Sequence, residues 1–242
     1  MIAVVRHGAR EDDLPRNRKL KSDIIFDPAL SNVGENQSRD TGKYIAEYLR
    51  RRSLDGLSWT IRIISSPFLR TLQTAAIIAD ELKQTKIEVW DPICEELKED
   101  LFKSYPIPYL NFSVKDKNFI FDEFLKTKKI NLMRLEDPEE IITPSSFPEK
   151  EGHKHFGSPS FRAKTALEYL ICNQFHQDHD NLREQNSHVV ILVTHAFFLQ
   201  PFVKYFSPKN QCKDREYCSI AWAKCCDNKW TLAENCSSEH LI

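Results

Sequence analysis

Residues 2–10 read IAVVRHGAR, an apolar run that turns polar within one residue. Continuous runs rich in β-branched side chains, such as Ile2–Val5, are typical of a short strand buried on both faces. A strand needs no charge to end, yet an arginine, a histidine and a glycine follow this run directly, and Arg10 stands two residues beyond the glycine. The polar residues therefore indicate a functional site at the end of the strand.

Further strand-like and helix-like segments alternate along the chain. The other predicted strands are Trp59–Ile64, Ile87–Trp90, His188–Thr194 and a closing hairpin of Ser219–Ala223 and Lys229–Leu232 around Asp227-Asn228. Helical spacing predicts helices from Gly34 to about Arg52, from Ser65-Ser66 (N-cap) and Pro67 to about Lys83, from Phe161 to about Phe175, and over Ala196–Phe206. This alternation predicts a three-layer α/β/α sandwich with a mostly parallel central sheet.

The periodic pattern loosens between about Leu97 and Pro159. This stretch contains a mixed-charge helix candidate, Val114–Lys129, and a loop rich in proline, serine and glycine from Asp137 to Pro159. We expect one domain over residues 1–242, in which residues 97–159 form an insertion over the carboxyl edge of the sheet, on the substrate side.

Composition excludes some function classes. The chain has 34 basic and 35 acidic residues and a net charge of −1, so no overall electrostatic attraction to nucleic acid or to a membrane is expected. The sequence lacks both a run of about 18 apolar residues and a secretory leader pattern, and its 7 cysteines show no regular spacing. We expect a cytoplasmic protein with reduced thiols, and the oligomeric state is left open between monomer and homodimer.

Three predicted strands end on residues suited to one kind of chemistry. They are followed by Arg6-His7, by the Ser65-Ser66 helix start with Arg70, and by Thr194-His195. In parallel sheets ligands bind at the carboxyl ends of the strands, so these residues should converge. A neutral imidazole is a nucleophile and guanidinium groups match phosphate oxygens. Because no glycine-rich phosphate loop is present, side chains must bind the phosphate, and we predict phosphoryl transfer through a phosphohistidine.

The motifs around these residues resemble the histidine phosphatase superfamily, the phosphoglycerate mutase-like enzymes. Five segments carry the resemblance in the family's order: Val4-Val5-Arg6-His7-Gly8, Leu30 to Gln37, Ser66 to Ala75, Ile191 to Ala196, and Tyr217 to Ile220 with Trp230 to Leu232. The resemblance implies a phosphoglycerate mutase-like fold, no cofactor and no metal. It also implies that His7 is the nucleophile and that Arg6, Arg70 and His195 hold the phosphate oxygens.

The family supplies the proton for the leaving group in two ways. Some members use an aspartate directly after the second histidine, but here Ala196 follows His195. The other source is a glutamate after the third strand. The stretch Trp90-Asp91-Pro92-Ile93-Cys94-Glu95-Glu96 resembles that setting, and the Ile-x-Glu spacing selects Glu95, with Glu96 as the alternative. Gly8 and Ala196 are expected beside the substrate.

Arg10 favours a phosphatase over a mutase. The R-H-G-x-R pattern resembles the phosphatase domain of the Sts proteins and ecdysteroid-phosphate phosphatase, in which the second arginine also contacts phosphate, so Arg10 is predicted to bind substrate. We predict a phosphomonoester hydrolase acting on a phosphorylated small molecule or a phosphoprotein. The alternatives are a phosphoglycerate mutase-type phosphotransferase and a non-catalytic phosphate-binding or scaffold protein on the same fold.

Overall fold

A computed structural model describes residues 1–13, 27–53, 58–98, 129–135, 159–175 and 186–241. The strands are β1 (Ile2–Arg6), β2 (Ser58–Ser65), β3 (Lys86–Val89), β4 (Asn131–Arg134), β5 (Asn186–Thr194), β6 (Ile220–Cys226) and β7 (Lys229–Ser237). The helices are α1 (Asn32–Arg52), α2 (Leu69–Glu81), α3 (Pro159–Phe175) and α4 (Ala196–Phe206). Short 3-10 helices occur at Glu11–Asp13, Asp91–Ile93 and Glu239–Leu241.

The seven strands form one mixed sheet in the order β4-β3-β2-β5-β1-β6-β7. The first five strands in this order are parallel to one another, β6 is antiparallel to β1, and β7 is antiparallel to β6. The predicted hairpin turn is confirmed, since Asp227 and Asn228 both have positive φ (51° and 59°), as a two-residue turn of type I′ requires. The prediction of a mostly parallel α/β sheet is confirmed.

Alternate residues of each strand face opposite layers of helices. Ala3 and Val5 of β1 pack with α1 and α2, whereas Ile2 and Val4 pack with α3 and α4. Both cores consist of fully buried aliphatic and aromatic side chains, which explains why the central strands are apolar throughout. Among the described helices, none is long and apolar enough to cross a bilayer.

Helix α2 begins later than the sequence indicated. The predicted N-cap at Ser65-Ser66 with Pro67 at the first helical position is wrong, because the helix starts at Leu69 and Phe68 occupies the cap position without a side-chain bond. The Leu69 N–H instead donates to the carboxylate oxygens of Asp27, at 2.8 and 3.0 Å. A cap supplied from another part of the chain leaves the Ser66 hydroxyl free to bond elsewhere.

The segment predicted as an insertion contributes to the sheet itself. Asn131–Arg134 form the edge strand β4, which pairs in parallel with β3. The sequence prediction missed this strand. The described residues do not include positions 114–128 of the helix candidate Val114–Lys129. They also do not include positions 137–158 of the loop predicted from Asp137 to Pro159.

Candidate active site

The ends of β1, β2 and β5 lie side by side at one edge of the sheet. Arg6 pairs with Thr194 in the parallel register, and Ser65 pairs with Val193. The next residue on each strand therefore enters the same site. His7 and His195 consequently lie with their ring centroids 5.3 Å apart, although 188 positions separate them in the sequence.

The position of the His7 ring exposes one nitrogen to the site. Its Nδ1 lies 2.8 Å from the carbonyl oxygen of Gly8, which makes Nδ1 the protonated nitrogen and leaves Nε2 unprotonated. Burial lowers the pKa of His7 well below its usual value, and the charge of Arg70 lowers it further. A neutral imidazole with a free Nε2 is the nucleophilic form.

Arg70 contacts the three other groups at the centre of the site. Its Nε lies 3.3 Å from His7 Nε2, and its NH2 lies 3.2 Å from Glu95 Oε2 and 3.3 Å from His195 Nδ1. The side chain is 2% exposed and comes from the first turn of α2. A buried guanidinium at this position supplies fixed positive charge where phosphate oxygens would bind.

His195 is held between two elements. Its Nε2 lies 2.8 Å from the Ser66 hydroxyl, and its Nδ1 lies 3.1 Å from Glu95 Oε2. Burial lowers the pKa of His195 to about 4, with Arg70 adding to the shift and Glu95 opposing it. The ring is therefore neutral at pH 7 and has one N–H to share between these partners.

The two glutamates that the sequence left as alternatives face different partners. Glu95 lies with Arg70 and His195, whereas Glu96 pairs with Lys98 at 2.9 Å. Burial alone would raise the pKa of Glu95, but the interaction with His195 and the charge of Arg70 outweigh burial and hold the pKa well below its usual range. Without substrate, Glu95 is a carboxylate.

Arg6 and Arg10 differ in their surroundings. The Arg6 guanidinium bonds the Arg215 carbonyl and lies 3.8 Å from the centroid of the Tyr217 ring, which itself is 5.6 Å from the His7 ring. Among the described residues, Arg10 pairs with Asp12 through two hydrogen bonds of 2.9 Å and lies 3.6 Å from Asp13. Arg6 thus lies beside Tyr217, which is next to the His7 ring, whereas the Arg10 guanidinium is paired with carboxylates.

Gly8 is required by a close approach to α1. A Cβ at Gly8 would lie 2.4 Å from the Gly34 carbonyl oxygen, and a Cβ at Gly34 would lie 2.1 Å from the Ala9 carbonyl oxygen. The Gly8 N–H also donates to Thr74 Oγ1 at 3.1 Å. The two glycines therefore fix the loop that carries His7 against the helix. Ala196 is the first residue of α4, directly after His195 at its N-cap.

Sequence reasoning missed Asp27 as a member of the site. Its carboxylate is 3% exposed, lies 3.5 Å from Arg70 NH1 and caps α2. Burial raises the pKa of Asp27 to about 7, although Arg70 and the Leu69 N–H oppose this shift. Asp27 follows no strand and matches no motif, so only the fold reveals its position. Ser66 was identified as a helix start rather than as the partner of His195.

Three side chains lie close enough together to hold a metal ion. The ligand atoms of His7, Glu95 and His195 are within 4.8 Å of one another. The guanidinium of Arg70 already contacts all three, however. A cation placed among them would face the fixed charge of Arg70, so this donor set does not favour a metal.

One part of the chain matches the sequence profile of a known family. Residues 2–99 match the sequence profile of the histidine phosphatase superfamily (branch 1), and they contain His7, Arg70 and Glu95. This segment, residues 2–99 of 242, therefore carries a detectable resemblance to the histidine phosphatase superfamily. The chain is 33% identical over 90 residues to an uncharacterized phosphatase, PhoE, of Bacillus subtilis, a match covering 37% of this chain and 39% of that protein.

A second match is to the human ubiquitin-associated and SH3 domain-containing protein A, at 30% identity over 151 residues, covering 50% of this chain and 22% of that protein. Both matches thus span well under half the length of these relatives.

Solved structures of other proteins share the fold over nearly the whole chain. Ecdysone phosphate phosphatase from Bombyx mori, in complex with tungstate, superposes with a TM-score of 0.57 at 17% identity, covering 98% of this chain and 93% of that one. Phosphoglycerate mutase from Bacillus anthracis gives a TM-score of 0.55 at 13% identity, covering 99% and 93%. At these identities the likeness establishes the phosphoglycerate mutase-like fold, which phosphatases and mutases have in common.

Proposed function

We propose that this chain belongs to the histidine phosphatase superfamily and is a metal-independent phosphomonoesterase that forms a phosphohistidine on His7. The observation that carries the proposal is the contact between Arg70 Nε and His7 Nε2, at 3.3 Å. In the empty site the Nε–H of Arg70 donates to the Nε2 lone pair of a neutral, buried imidazole. A phosphoryl group that accepts this N–H in place of His7 would therefore lie next to Nε2, at attacking distance.

In the first step, His7 Nε2 attacks phosphorus in line with the leaving oxygen. The P–N bond forms as the P–O bond breaks, and negative charge is spread over the equatorial oxygens. Arg70, Arg6 and His195 surround that position and stabilise the charge. Gly8 keeps the proton on Nδ1 by accepting from it, so Nε2 keeps its lone pair free for phosphorus.

Glu95 supplies the proton that the leaving group needs. Its pKa is low in the empty site because of His195 and Arg70. A bound phosphoryl dianion adds negative charge next to Glu95 and competes for Arg70, and both effects raise the carboxyl pKa. A monoanionic ester brings a proton with it, which Glu95 takes up and passes to the departing alkoxide or phenoxide.

In the second step, water cleaves the phosphohistidine. The Glu95 carboxylate accepts a proton from water as the water oxygen attacks phosphorus, and the P–N bond breaks to regenerate neutral His7. Inorganic phosphate is then released. In a mutase the acceptor would be a substrate hydroxyl instead of water, so the products distinguish the two activities.

The proposal is tested with purified protein, an aryl phosphate and EDTA. We expect hydrolysis to continue in EDTA, to be abolished in His7→Ala, and to be unaffected in His240→Ala, a histidine outside the site. Arg70→Lys should lower kcat/KM by about 100-fold or more, because lysine lacks the planar fork. Full activity of His7→Ala would exclude the mechanism.

Trapping the intermediate separates catalysis from simple phosphate binding. A radiolabelled ester quenched in alkaline detergent should leave label on His7 in the wild type and none in His7→Ala. Protein that binds phosphate without acquiring label would be a binding module. Transfer of label to 3-phosphoglycerate rather than to water would identify a mutase.

The substrate class that we propose is a phosphorylated small molecule or a phosphoprotein. A panel at equal concentration should contain a steroid phosphate, phosphoserine, 3-phosphoglycerate and a phosphotyrosine peptide. The ratio of kcat/KM values ranks these classes directly.

A further inference from the structure

Arg162 lies beneath the segment that carries Glu95. It comes from the first turn of α3 and is 1% exposed. Its NH1 donates to the carbonyl oxygens of Pro92 and Cys94, both at 2.8 Å, and its NH2 donates to the carbonyl oxygen of Glu95 at 3.0 Å. One buried guanidinium thus bonds three carbonyls within four residues.

The segment around Glu95 has little regular structure of its own. The short 3-10 helix ends at Ile93, and residues 95–98 belong to neither helix nor strand. The one carbonyl between 92 and 95 that Arg162 does not bond is that of Ile93, which accepts from Thr194 Oγ1 at 2.7 Å. All four carbonyls are therefore fixed by side chains of other elements, and the Glu95 side chain takes its direction from that backbone.

We propose that Arg162 is a positioning residue for Glu95, holding the carboxylate where it can protonate the leaving group. The inference rests on the proposed phosphatase function. Within the Glu95 segment, the Arg162 guanidinium donates to backbone carbonyls and to Cys94 Sγ, at 3.5 Å, so we assign it a role through Glu95. Its loss would leave buried carbonyls without donors and let the segment shift.

A displaced acid has a specific kinetic signature. Cleavage that releases a poor leaving group requires a proton in the transition state, whereas release of a stable phenolate does not. Displacing Glu95 by about 1 Å should therefore slow the first kind of substrate by about 100-fold and hardly affect the second. A general loss of folded protein would reduce both equally.

The experiment compares Arg162→Met with the wild type on phenyl phosphate and 2,4-dinitrophenyl phosphate. The measured quantity is kcat/KM, because it reports the steps up to formation of the phosphoenzyme and not its hydrolysis. We expect about 100-fold loss on phenyl phosphate and less than about threefold on 2,4-dinitrophenyl phosphate. Arg162→Lys, which keeps a donor, should recover part of the loss.

Two further variants control the experiment. Leu170→Ala removes a buried side chain two turns further along the same helix and leaves the bonds from Arg162 to the carbonyls in place, so it should lower stability and leave the kcat/KM ratio of the two substrates unchanged. Thr194→Val removes only the bond to the Ile93 carbonyl, and it should shift the ratio in the same direction as Arg162→Met. If Arg162→Met does not fold, Thr194→Val still tests whether the fixed carbonyls of this segment position Glu95.

The outcomes separate the inference from the function beneath it. An equal loss on both substrates, or none, would overturn the positioning role of Arg162. Glu95→Gln should show the same dependence on the leaving group as Arg162→Met, with a larger loss on phenyl phosphate. If the wild type hydrolyses neither ester, the proposed phosphatase function fails. If Glu95→Gln shows no such dependence, Glu95 is not the acid and the positioning role fails with it.

Discussion

The carboxylate of Asp27 lies 3.5 Å from NH1 of Arg70 and also caps the helix from which Arg70 projects. The same group therefore holds both the backbone and the charge of the central arginine. Its pKa of about 7, raised by burial, means that it gains negative charge as the pH rises through neutrality. Anion binding at Arg70 should respond to that charge.

Asp27→Asn should flatten this pH response. Sulfate is a dianion throughout the range, so its inhibition constant reports the protein alone. In the wild type we expect sulfate inhibition to weaken by about tenfold between pH 6 and pH 8, as ionised Asp27 competes for Arg70. Asp27→Asn should show little change, whereas Glu96→Gln, which alters the carboxylate paired with Lys98, should behave as the wild type.

His195 should make the protein less stable in acid. Its pKa is near 6.5 when unfolded and about 4 when folded, so the stabilisation is complete above pH 6.5 and is lost as the pH falls towards 4. A shift of this size corresponds to about 3 kcal/mol. The raised pKa of Asp27 has the opposite effect on stability, because ionisation of this buried carboxyl destabilises the fold as the pH rises from 4 to 7.

A comparison of variants isolates the His195 contribution. We expect the free energy of unfolding, measured in urea at pH 7, 5.5 and 4, to fall less with decreasing pH in His195→Gln than in the wild type. His188→Gln, at a half-buried histidine on β5, should keep the wild-type dependence. If the free energy of unfolding depended on pH in the same way in the wild type and in His195→Gln, the prediction would be wrong.

Helix α1 contains two glycines, Gly34 and Gly42, that make close contacts with different parts of the protein. Substituting each by alanine separates an effect on stability from an effect on activity. Gly34→Ala would bring a methyl group to 2.1 Å from the Ala9 carbonyl oxygen, so the loop carrying His7 must move. We expect a loss of about 1–3 kcal/mol in the free energy of unfolding. In the same variant kcat/KM should fall by about tenfold or more.

The matched variant Gly42→Ala meets only α2, with Glu81 Cβ and Cγ at 2.9 Å. It should lower stability but leave kcat/KM of the folded protein unchanged. Equal losses of activity in the two variants would show that the contact of α1 with the His7 loop has no special role.

Arg10 offers a test of phosphate binding outside the buried cluster. Asp12 now holds its guanidinium through two hydrogen bonds of 2.9 Å. If Arg10 turns to the substrate phosphate, Asp12→Asn should lower KM by about threefold and Arg10→Met should raise it by about tenfold. Neither change should alter thermal stability by more than about 1 kcal/mol, because the pair is partly exposed. An unchanged KM in Arg10→Met would assign the residue to the surface loop alone.

Local sequence patterns predicted the elements whose structure is set locally. Apolar runs located β1, β2 and β5 to within two residues, and Ala196–Phe206 was predicted with its observed bounds. The edge strand β4 was missed because its four residues, Asn131–Arg134, alternate weakly and gain their structure from pairing with β3. The start of α2 was misplaced because its cap, Asp27, is distant in sequence from the helix.

The site was predictable where its residues directly follow strands. His7 and His195 lie at strand ends within recognisable motifs, and the resemblance of residues 90–96 to the family's third-strand setting, with the Ile-x-Glu spacing, selected Glu95. Arg162 gave no such signal, because an arginine near a helix start usually lies on the solvated face. Its burial under three carbonyls is a tertiary property that only the packing of α3 against the Asp91–Glu95 segment creates.

The strand order has a consequence for how the protein is made. Both neighbours of β1, the strands β5 and β6, follow it by about 180 positions or more in the sequence. Until β5 has been synthesised, β1 has no neighbour in this sheet. Pairing of strands so distant in sequence is slow, and His7 and His195 can meet only once it has occurred. The pairing that completes the sheet therefore also assembles the candidate site.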